Sequence, residues 1–496
     1  MFMIADNSPV IVAAAAVSQK ITDLQALPAG ADAIDLMAQA CQQAAASIDC
    51  PSLLAAVDQI SVPQGLWPFN NPAAAIAQQI GAPAAATLLA KIGVLQQGLI
   101  SDACRAIESG EKSVCVVAGG EAKYRELIAS VNSVELPVRD TQPEPDRVWE
   151  PEQELWLESE STAGLGMPVG YYALMDSAWR HKNTLAVDQH RDAVADLYAG
   201  FSHIAADNAD AWKRKPLSAE SIRDASDENP MLAFPYTKRH NTSWNVDQAS
   251  AVIICSVAKA RELGIDEAFW VYPAASTECN QILAVSQRAD LGGCLGAEMA
   301  GQAALSLAGI DAAQLDFVEL YSCFPIAMLI YADALGLPRD KDMTVTGAMP
   351  FAGGPLNNFV IQSTAKMIEK LQATPAKGDA KGIVTTVSGM LTKQGFGVYS
   401  REPVPYRFAD VTDDVIAANP PKNVLPNYAG SATIAAATVL YQKNQPERAV
   451  LIADLADGSR CLAFSQDAAV MQAVEAGDTV GSAVDINDHI FAFSAA

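Results

Sequence analysis

The sequence is poor in the residues that build metal centres, disulfide frameworks and nucleic-acid grooves. It has five His and nine Cys among 496 residues, and no two cysteines form a Cys-x-x-Cys pair. Such scattered cysteines argue against a zinc site or a disulfide scaffold, and we expect reduced thiols. Lys and Arg number 33 against 57 Asp and Glu, which gives a net charge of −24. This excess of negative charge argues against nucleic acid or an anionic membrane as the main partner.

Long apolar runs are also missing. No uncharged segment approaches about 18 strongly apolar residues, so we expect no membrane span. The first twenty residues have no basic segment ahead of their apolar run, which predicts a first strand and not a signal peptide. Together with the reduced cysteines, this leads us to expect a cytoplasmic location. What is abundant is apolar residues, at 50% of the chain, and a chain of this composition and length is expected to bury the cores of about two to four domains.

Apolar runs alternate with helical patterns along most of the chain. A first series predicts strands at 10–17, 57–62, 85–89, 114–118 and 249–257. A second series, within 259–405, predicts strands at 317–320 and 382–387 with helices around them. Strand and helix alternate at βαβ spacing, which predicts mainly parallel sheets covered by helices. The two series indicate an internal repeat of two similar α/β halves.

The predicted domains follow from where this alternation stops and resumes. The N-terminal half spans 1–258 and includes a polar insertion at 123–248, of a size that often forms a lid or ligand wall. The C-terminal half spans 259–405, a linker follows at 406–428, and a β-rich domain spans 429–496. An OB-like barrel is one topology that fits this last domain, which is not basic, so nucleic-acid binding is set aside. Four of the five His lie in the insertion, and a surface or capping role is favoured over catalysis for each: His181, His190, His203 and His240.

Four stretches, taken in chain order, resemble the motifs of thiolases. They are Ala103–Gly110 followed by Val116–Glu121, then Val318–Pro325 (VELYSCFP), Gly353–Asn358 (GGPLNN) and Ser388–Gly397 (SGMLTKQGFG). The Tyr-Ser-Cys-Phe-Pro segment is similar to the His-Asp-Cys-Phe segment of sterol-carrier-protein thiolases. With its appended β domain the chain most resembles type 1 thiolase-like proteins, which are usually described as acetyl-CoA acetyltransferases. The resemblance covers roughly residues 8–405.

This resemblance implies an α/β thiolase fold, with two similar βαβαβαββ halves in five layers, α-β-α-β-α. It implies an acyltransferase-like protein of lipid metabolism that uses acyl-CoA. Coenzyme A or acyl-CoA would be a substrate or ligand and not a permanently bound cofactor, and no metal is expected. Thiolases are usually dimers through the sheet domain, so a homodimer is possible, although the extra domain could block or remodel that face.

The departures from the thiolase pattern concern the catalytic residues themselves. Thiolases use a Cys nucleophile at the start of a helix, where the dipole lowers its pKa. Its place falls on or next to Gly93, where the sequence has no Cys. The activating His is replaced around Asn358 and Phe359, and the second Cys around Val387 and Ser388. Ordinary thiolysis through a Cys acyl-enzyme is therefore not expected.

The remaining candidates line the presumed acyl-CoA cavity. The catalytic candidates are Tyr321, Ser322 and Cys323, and the substrate-binding candidates are Gly93, Gly353, Gly354, Asn357, Asn358, Ser388 and Gly389. Each has a structural alternative. Tyr321 could transfer a proton or be a buried Tyr hydrogen-bonded to backbone. The Asn pair could supply oxyanion donors or, as is favoured, cap the following helix. Gly353 and Gly354 are expected to form a tight turn, and Cys323 could be a small buried hydrophobe.

Two local expectations and three functions follow. We expect a dry, widened hole at Gly93, and a Cys323 that is partly buried and poorly reactive, because burial raises a thiol's pKa. The leading function is an acyl-CoA-utilising enzyme with atypical chemistry. The alternatives are a non-catalytic CoA-binding or scaffold protein, and a Tyr-dependent retro-aldolase acting on a β-hydroxyacyl-CoA.

Overall fold

Two α/β halves stack face to face through a pair of shared central helices, and a β barrel follows them. The computed structural model describes residues 4–151, 157–338 and 340–494. The strands are β1 (Pro9–Gln19), β2 (Gln59–Pro63), β3 (Ala86–Ala90), β4 (Val114–Ala122), β5 (Arg147–Trp149), β6 (Met231–Ala233), β7 (Tyr236–Thr237), β8 (Asp247–Ser256), β9 (Tyr272–Cys279), β10 (Phe317–Glu319), β11 (Lys381–Ser388), β12 (Lys393–Ser400), β13 (Arg407–Asp410), β14 (Val424–Leu425), β15 (Ala429–Gln442), β16 (Gln445–Asp454), β17 (Arg460–Ser465), β18 (Ala483–Asn487) and β19 (Ile490–Phe493).

The α-helices alternate with the strands through both halves and supply most of the insertion. They are α1 (Ala33–Ser47), α2 (Ser52–Ala55), α3 (Pro72–Ile80), α4 (Gln96–Glu108), α5 (Lys123–Val131), α6 (Glu158–Thr162), α7 (Pro168–Lys182), α8 (Val187–Asp207), α9 (Ala219–Arg223), α10 (Val257–Glu262), α11 (Leu295–Ala308), α12 (Pro325–Leu335), α13 (Met349–Ala352), α14 (Phe359–Gln372), α15 (Thr412–Ala418) and α16 (Ala468–Ala476).

The two large sheets share one pairing pattern. Their strand orders are β1-β8-β4-β2-β3-β5 and β10-β11-β12-β9-β13. In the first sheet β2 pairs parallel with β4, whereas β4 with β8 and β8 with β1 are antiparallel. The second sheet repeats this pattern with β10, β11, β12 and β9. The internal repeat predicted from the sequence is therefore confirmed.

The layers follow from which faces are apolar. Every residue of β4 and β8 is buried, as expected for strands covered on both faces. Helix α1 packs on the outer side of the first sheet and α11 on the outer side of the second, while α4 and α14 contact strands of both sheets. This gives the predicted α-β-α-β-α order and places the starts of α4 and α14 at the junction between the halves.

The insertion is a packed helical unit and not a loose lid. Helices α7 and α8 contribute Tyr172 and Tyr198 to the core that also contains Phe324. Its histidines divide into two groups. His181 and His203 are exposed, as expected. His190 is buried, with Nε2 2.9 Å from Asp176 Oδ1, so the prediction of a surface or capping role is wrong for it. His240 caps a short turn through Thr237, which agrees with that prediction.

The C-terminal domain is a closed five-stranded barrel. Strand β15 pairs with β16, β16 with β17, β17 with β19, β19 with β18, and β18 with β15. Helix α16 lies between β17 and β18. This closure fits the OB-like topology expected from the sequence. The predicted linker 406–428 is not a free segment, because β13 pairs with β9 and α15 packs beside it. Among the described helices, none has the length and apolar character needed to span a membrane.

Candidate functional site

The site is built where two central helices begin. Helix α4 starts at Gln96 and α14 at Phe359, and Gln96 Oε1 accepts a hydrogen bond of 3.1 Å from the Val360 N–H. Leu95 and Asn358, which precede the two helices, do not cap them with their own side chains, although Gln96 caps α14 from the neighbouring helix. The first N–H groups of a helix have no partner within it, and they form the positive end of its dipole. Two positive helix ends therefore converge between the halves.

The segment before α4 is held by the loop after β11. Ser388 Oγ donates to the Gly93 carbonyl over 3.1 Å, and Lys393 Nζ donates to the same oxygen over 3.2 Å. Gly93 has a φ of 107°, which favours glycine. A Cβ here would lie 3.0 Å from Cβ of Pro151. The expected widened hole at Gly93 is therefore wrong, because Pro151 from the insertion fills the space.

Tyr321 lies across from these loops, just after β10. Its N–H donates to Thr385 Oγ1 over 2.8 Å, and its ring packs edge-to-face on Phe359, with 5.9 Å between centroids. Among the described residues its hydroxyl has no hydrogen-bond partner, so the alternative of a Tyr bonded to backbone through its hydroxyl is wrong. Burial, and next the nearby Cys323, raise the pKa of the Tyr321 phenol above its usual value of 10. Tyr321 is thus a hydrogen-bond donor and a poor base.

Ser322 and its neighbour Glu319 have a structural role. Ser322 is fully buried, and its Oγ accepts from the Met349 N–H over 2.9 Å. Glu319 accepts hydrogen bonds from the side chains and backbone of the Thr344–Thr346 segment. Both side chains thus hold the chain that leads to Gly353. Ser322 was predicted as catalytic, but its hydroxyl is engaged away from any open space.

Cys323 is buried, as predicted, with 8% of its surface exposed. Burial raises the pKa of its thiol to about 12, although the Tyr172 hydroxyl opposes this shift by hydrogen bonding to the sulfur. The same hydroxyl lies 3.3 Å from the Gly389 carbonyl oxygen. The thiolate needed for nucleophilic attack is therefore scarce at neutral pH.

Asn357 and Asn358 have different environments although they are adjacent. Asn357 has a φ of 52° and its Nδ2 donates to the Gln64 carbonyl. Asn358 is fully buried, and neither its Oδ1 nor its Nδ2 has a partner among the described residues. Asn358 precedes α14 without capping it, so the capping interpretation is wrong. An unpaired buried carboxamide indicates an unseen water or ligand.

The glycine pair forms the tight turn that was expected. Gly353 has a φ of 96°, and a Cβ there would lie 2.0 Å from Oε1 of Gln248. The Gly354 N–H donates to the Ser243 carbonyl over 2.9 Å. These glycines fix the approach to Asn357 and Asn358, and the contacts give them no direct role toward a ligand.

The structure thus joins some candidates and separates others. Gly93 and Ser388 are in direct contact, and Tyr321 and Asn358 flank the start of α14. Sequence reasoning missed Lys393, although it lies inside the Ser388–Gly397 motif, and Tyr172, which lies in the insertion. A groove of about 980 Å³ opens beside Val94, Leu95 and Lys393. Its other charged lining residues are acidic: Glu150, Glu278, Asp410 and Asp413.

Two family models match parts of the chain. The additional C-terminal domain of thiolase-like protein type 1 matches residues 411–489, and the thiolase C-terminal domain-like family matches 277–345. An acetyl-CoA acetyltransferase of Methanocaldococcus jannaschii is 30% identical over 238 residues, which are 46% of this chain and 51% of that protein. The match therefore spans about half of that curated relative.

Solved structures are similar over the whole fold. A monomeric SCP2-thiolase-like protein type 1 from Mycobacterium smegmatis superposes with a TM-score of 0.82 and 25% identity, covering 99% of this chain and all of that one. The dimeric peroxisomal thiolase of Saccharomyces cerevisiae has a TM-score of 0.55 and 12% identity, covering 81% of this chain and 99% of that one. The second likeness concerns the fold alone.

Proposed function

Because the chain belongs to the thiolase superfamily and carries the additional C-terminal domain of thiolase-like proteins type 1, we propose that it binds an acyl thioester at the junction of its halves, without cysteine-based thiolysis. The observation that carries this proposal is the convergence of two helix starts, neither capped by its own N-cap side chain, beside the Tyr321 hydroxyl and the unpaired carboxamide of Asn358. Such donors suit a polarised thioester carbonyl. The acyl-CoA role in lipid metabolism and the cytoplasmic location belong to the same proposal.

Binding without thiolysis is supported by the state of both thiolase cysteine positions. The resemblance puts the first on or next to Gly93 and the second around Val387 and Ser388, and Gly93 and Ser388 are hydrogen-bonded to each other. The one cysteine of the site, Cys323, has a pKa raised to about 12 by burial. No His is bonded to it among the described residues, where His190 pairs with Asp176 and His240 with Thr237. General-base activation of a thiol therefore has no support in the geometry.

The negative charge of the acidic groove determines which part of an acyl-CoA ligand it can hold. Four carboxylates and one Lys line it, so phosphate groups would be repelled. The uncharged acyl-pantetheine arm fits this groove better than the nucleotide of coenzyme A. We therefore expect S-acetyl-pantetheine to bind about as tightly as acetyl-CoA, with little dependence on salt.

Isothermal titration with these two thioesters, and with longer acyl chains, tests the proposal. Tyr321→Phe should weaken binding by about fivefold, the effect of one lost hydrogen bond. Tyr428→Phe is the matched control, because Tyr428 lies in the segment that leads into the barrel and its hydroxyl donates a hydrogen bond to the Ser431 carbonyl. Absence of binding for every acyl thioester would overturn the proposal, and so would an acetyl adduct on any cysteine after incubation with acetyl-CoA.

Retro-aldol cleavage of a β-hydroxyacyl-CoA is a second candidate, favoured by the unpaired Tyr321 hydroxyl. This reaction needs Tyr321 to accept a proton from the β-hydroxyl, and its raised pKa opposes ionisation. A screen for aldehyde or ketone products over varied chain lengths distinguishes it from binding alone. If Tyr321→Phe abolishes product formation while its affinity for the thioester stays within about fivefold of wild type, the aldolase is favoured.

A further inference from the structure

A second cavity lies on the other side of the C-terminal sheet. Two neighbouring residues of β12 point to opposite faces: Lys393 reaches Gly93 at the junction, whereas Gln394 lies under Gly296 of α11. On the Gln394 side a cavity of about 530 Å³ opens between α7, α11 and α12. This volume is typical of small-molecule sites. The cavity shares Gln281 and Leu283 with the wall of the acidic groove, and its other lining residues are separate from that groove.

A cysteine stands at the entrance to α11 within this cavity. Cys294 directly precedes the helix, and its thiol donates a hydrogen bond of 3.8 Å to the Leu391 carbonyl. Cys294 is partly exposed, whereas the other eight cysteines of the chain are buried. A molecule entering the cavity thus meets this thiol and the positive end of a 14-residue helix.

A buried guanidinium lines the same cavity. Arg288 is 6% exposed, and its donors reach the Met390 carbonyl and Met175 Sδ, the latter over 3.2 Å. Among the described residues no carboxylate lies within salt-bridge distance of it. Glu160, a buried acid whose charge acts on Arg288, accepts hydrogen bonds from Ser286 instead. A buried cation without an ion pair is unfavourable, and an anionic ligand would supply the missing charge.

Two further polar atoms in the wall lack partners. Thr392 Oγ1 and Gln394 Oε1 have none among the described residues, although the two residues are only 4% and 2% exposed. Both residues line the cavity. Buried polar atoms are normally paired, and of these two the Thr392 hydroxyl is the one that can donate a hydrogen bond to an anion.

The acids at the rim are largely engaged by other groups. Asp290 pairs with Lys182 at 2.7 Å, and Asp333 accepts a hydrogen bond of 2.7 Å from Trp179 Nε1. Glu298 is exposed to solvent on α11. The interior of the cavity is therefore dominated by Arg288 and the helix start, and its field favours an anion.

We propose that this cavity is a binding site for a small carboxylic acid, whose carboxylate lies between Arg288, the α11 start and Thr392, next to Cys294. The thiol provides a direct probe. Iodoacetate and iodoacetamide alkylate the same sulfur with loss of iodide, but only iodoacetate carries a carboxylate. Mass spectrometry of the full-length protein measures the rate of alkylation at Cys294 by each reagent. The ratio of the iodoacetate rate to the iodoacetamide rate is then divided by the same ratio for the Cys294 peptide in the denatured chain.

The expected result is a preference for iodoacetate at Cys294, relative to that reference, of roughly fivefold, as for one partly screened charge pair. Hexanoate should slow alkylation by neutral iodoacetamide in a saturable way, and hexanol at equal concentration should not. Equal normalised rates, or equal effects of hexanoate and hexanol, would overturn the proposal. Both measurements use the wild-type chain, so they do not depend on a variant that folds.

Variants then assign the preference to the proposed groups. Arg288→Gln should bring the normalised ratio close to one, and Thr392→Val should weaken hexanoate protection by about fivefold. Lys182→Gln is the control, because that rim charge is already paired with Asp290, and it should leave the ratio within twofold or so. A preference that survives Arg288→Gln in a folded protein contradicts the site as drawn.

Discussion

The hydroxyl of Ser388 donates a hydrogen bond of 3.1 Å to the carbonyl oxygen of Gly93. The resemblance to thiolases puts the nucleophilic cysteine on or next to Gly93 and the second cysteine around Val387 and Ser388. Here Gly93 and Ser388 touch, and Lys393 fixes the same oxygen from a second direction. The two loops are closed on each other, so changing one residue does not recreate a thiolase centre.

Gly93→Cys should therefore give no thiolase turnover. The positive φ of Gly93 and the 3.0 Å approach to Pro151 predict a loss of about 1–3 kcal/mol in the free energy of unfolding. Urea titration measures this, and a thiolysis assay with acetoacetyl-CoA measures the activity. Gly200→Ala is the matched control, since Gly200 lies in α8 with open space around it, and alanine there should stabilise by about 0.5–1 kcal/mol. Thiolysis by Gly93→Cys would show that the centre is not closed.

The architecture could be predicted from sequence because strand and helix patterns are local. The alternation of apolar runs indicated two halves, and the ordered motifs indicated the family. The state of the site was not predictable, because its decisive contacts join distant positions. Lys393 meets Gly93 from 300 positions away, and Pro151 reaches Gly93 from the insertion. Glu319 is in the same motif as Tyr321, but only the fold shows that its carboxylate binds Thr344 and Thr346.

The same substitution at the two adjacent asparagines should change the stability of the protein by different amounts. Asn357→Leu removes a hydrogen bond to Gln64 and strains a left-handed φ of 52°, so a loss of about 1–3 kcal/mol in stability is expected. Asn358→Leu removes a carboxamide that has no partner, so stability should be unchanged or slightly higher. Thermal unfolding measures the difference. Equal losses for the two variants would mean that Asn358 is tied to an ordered water or another structural partner.

The outer edge of the first sheet, beside β3, is occupied by a short strand of the insertion. Strand β5 pairs in parallel with β3 along the outer edge of the first sheet. It is only three residues long, with Arg147 exposed and Pro151 soon after, features that discourage pairing with another strand. We expect a monomer by sedimentation equilibrium at micromolar concentration. A dimer that persists after Val148→Lys would show that another surface assembles the protein.

Glu319 should make stability depend on pH near neutrality. Burial raises its pKa from 4.5 to about 7, despite hydrogen bonds from Thr346, Val345 and Thr344 that favour ionisation. Between these two values the folded chain holds a proton that the unfolded chain has lost. Stability therefore falls as pH rises from 4.5 to 7, and the effect is complete above 7.

Glu121 and Asp247 also have raised pKa values, of about 7 and about 6, so the contribution of Glu319 must be isolated by difference. The free energy of unfolding of Glu319→Gln minus that of wild type should therefore increase by roughly 1–3 kcal/mol as the pH rises from 5.5 to 8. Urea titrations at pH 5.5, 6.5 and 8 measure this change, with Glu298→Gln as the exposed control. A constant offset across this range, equal to that of the control, would mean that Glu319 is already ionised in the folded protein at pH 5.5, because its threonine and backbone donors outweigh its burial.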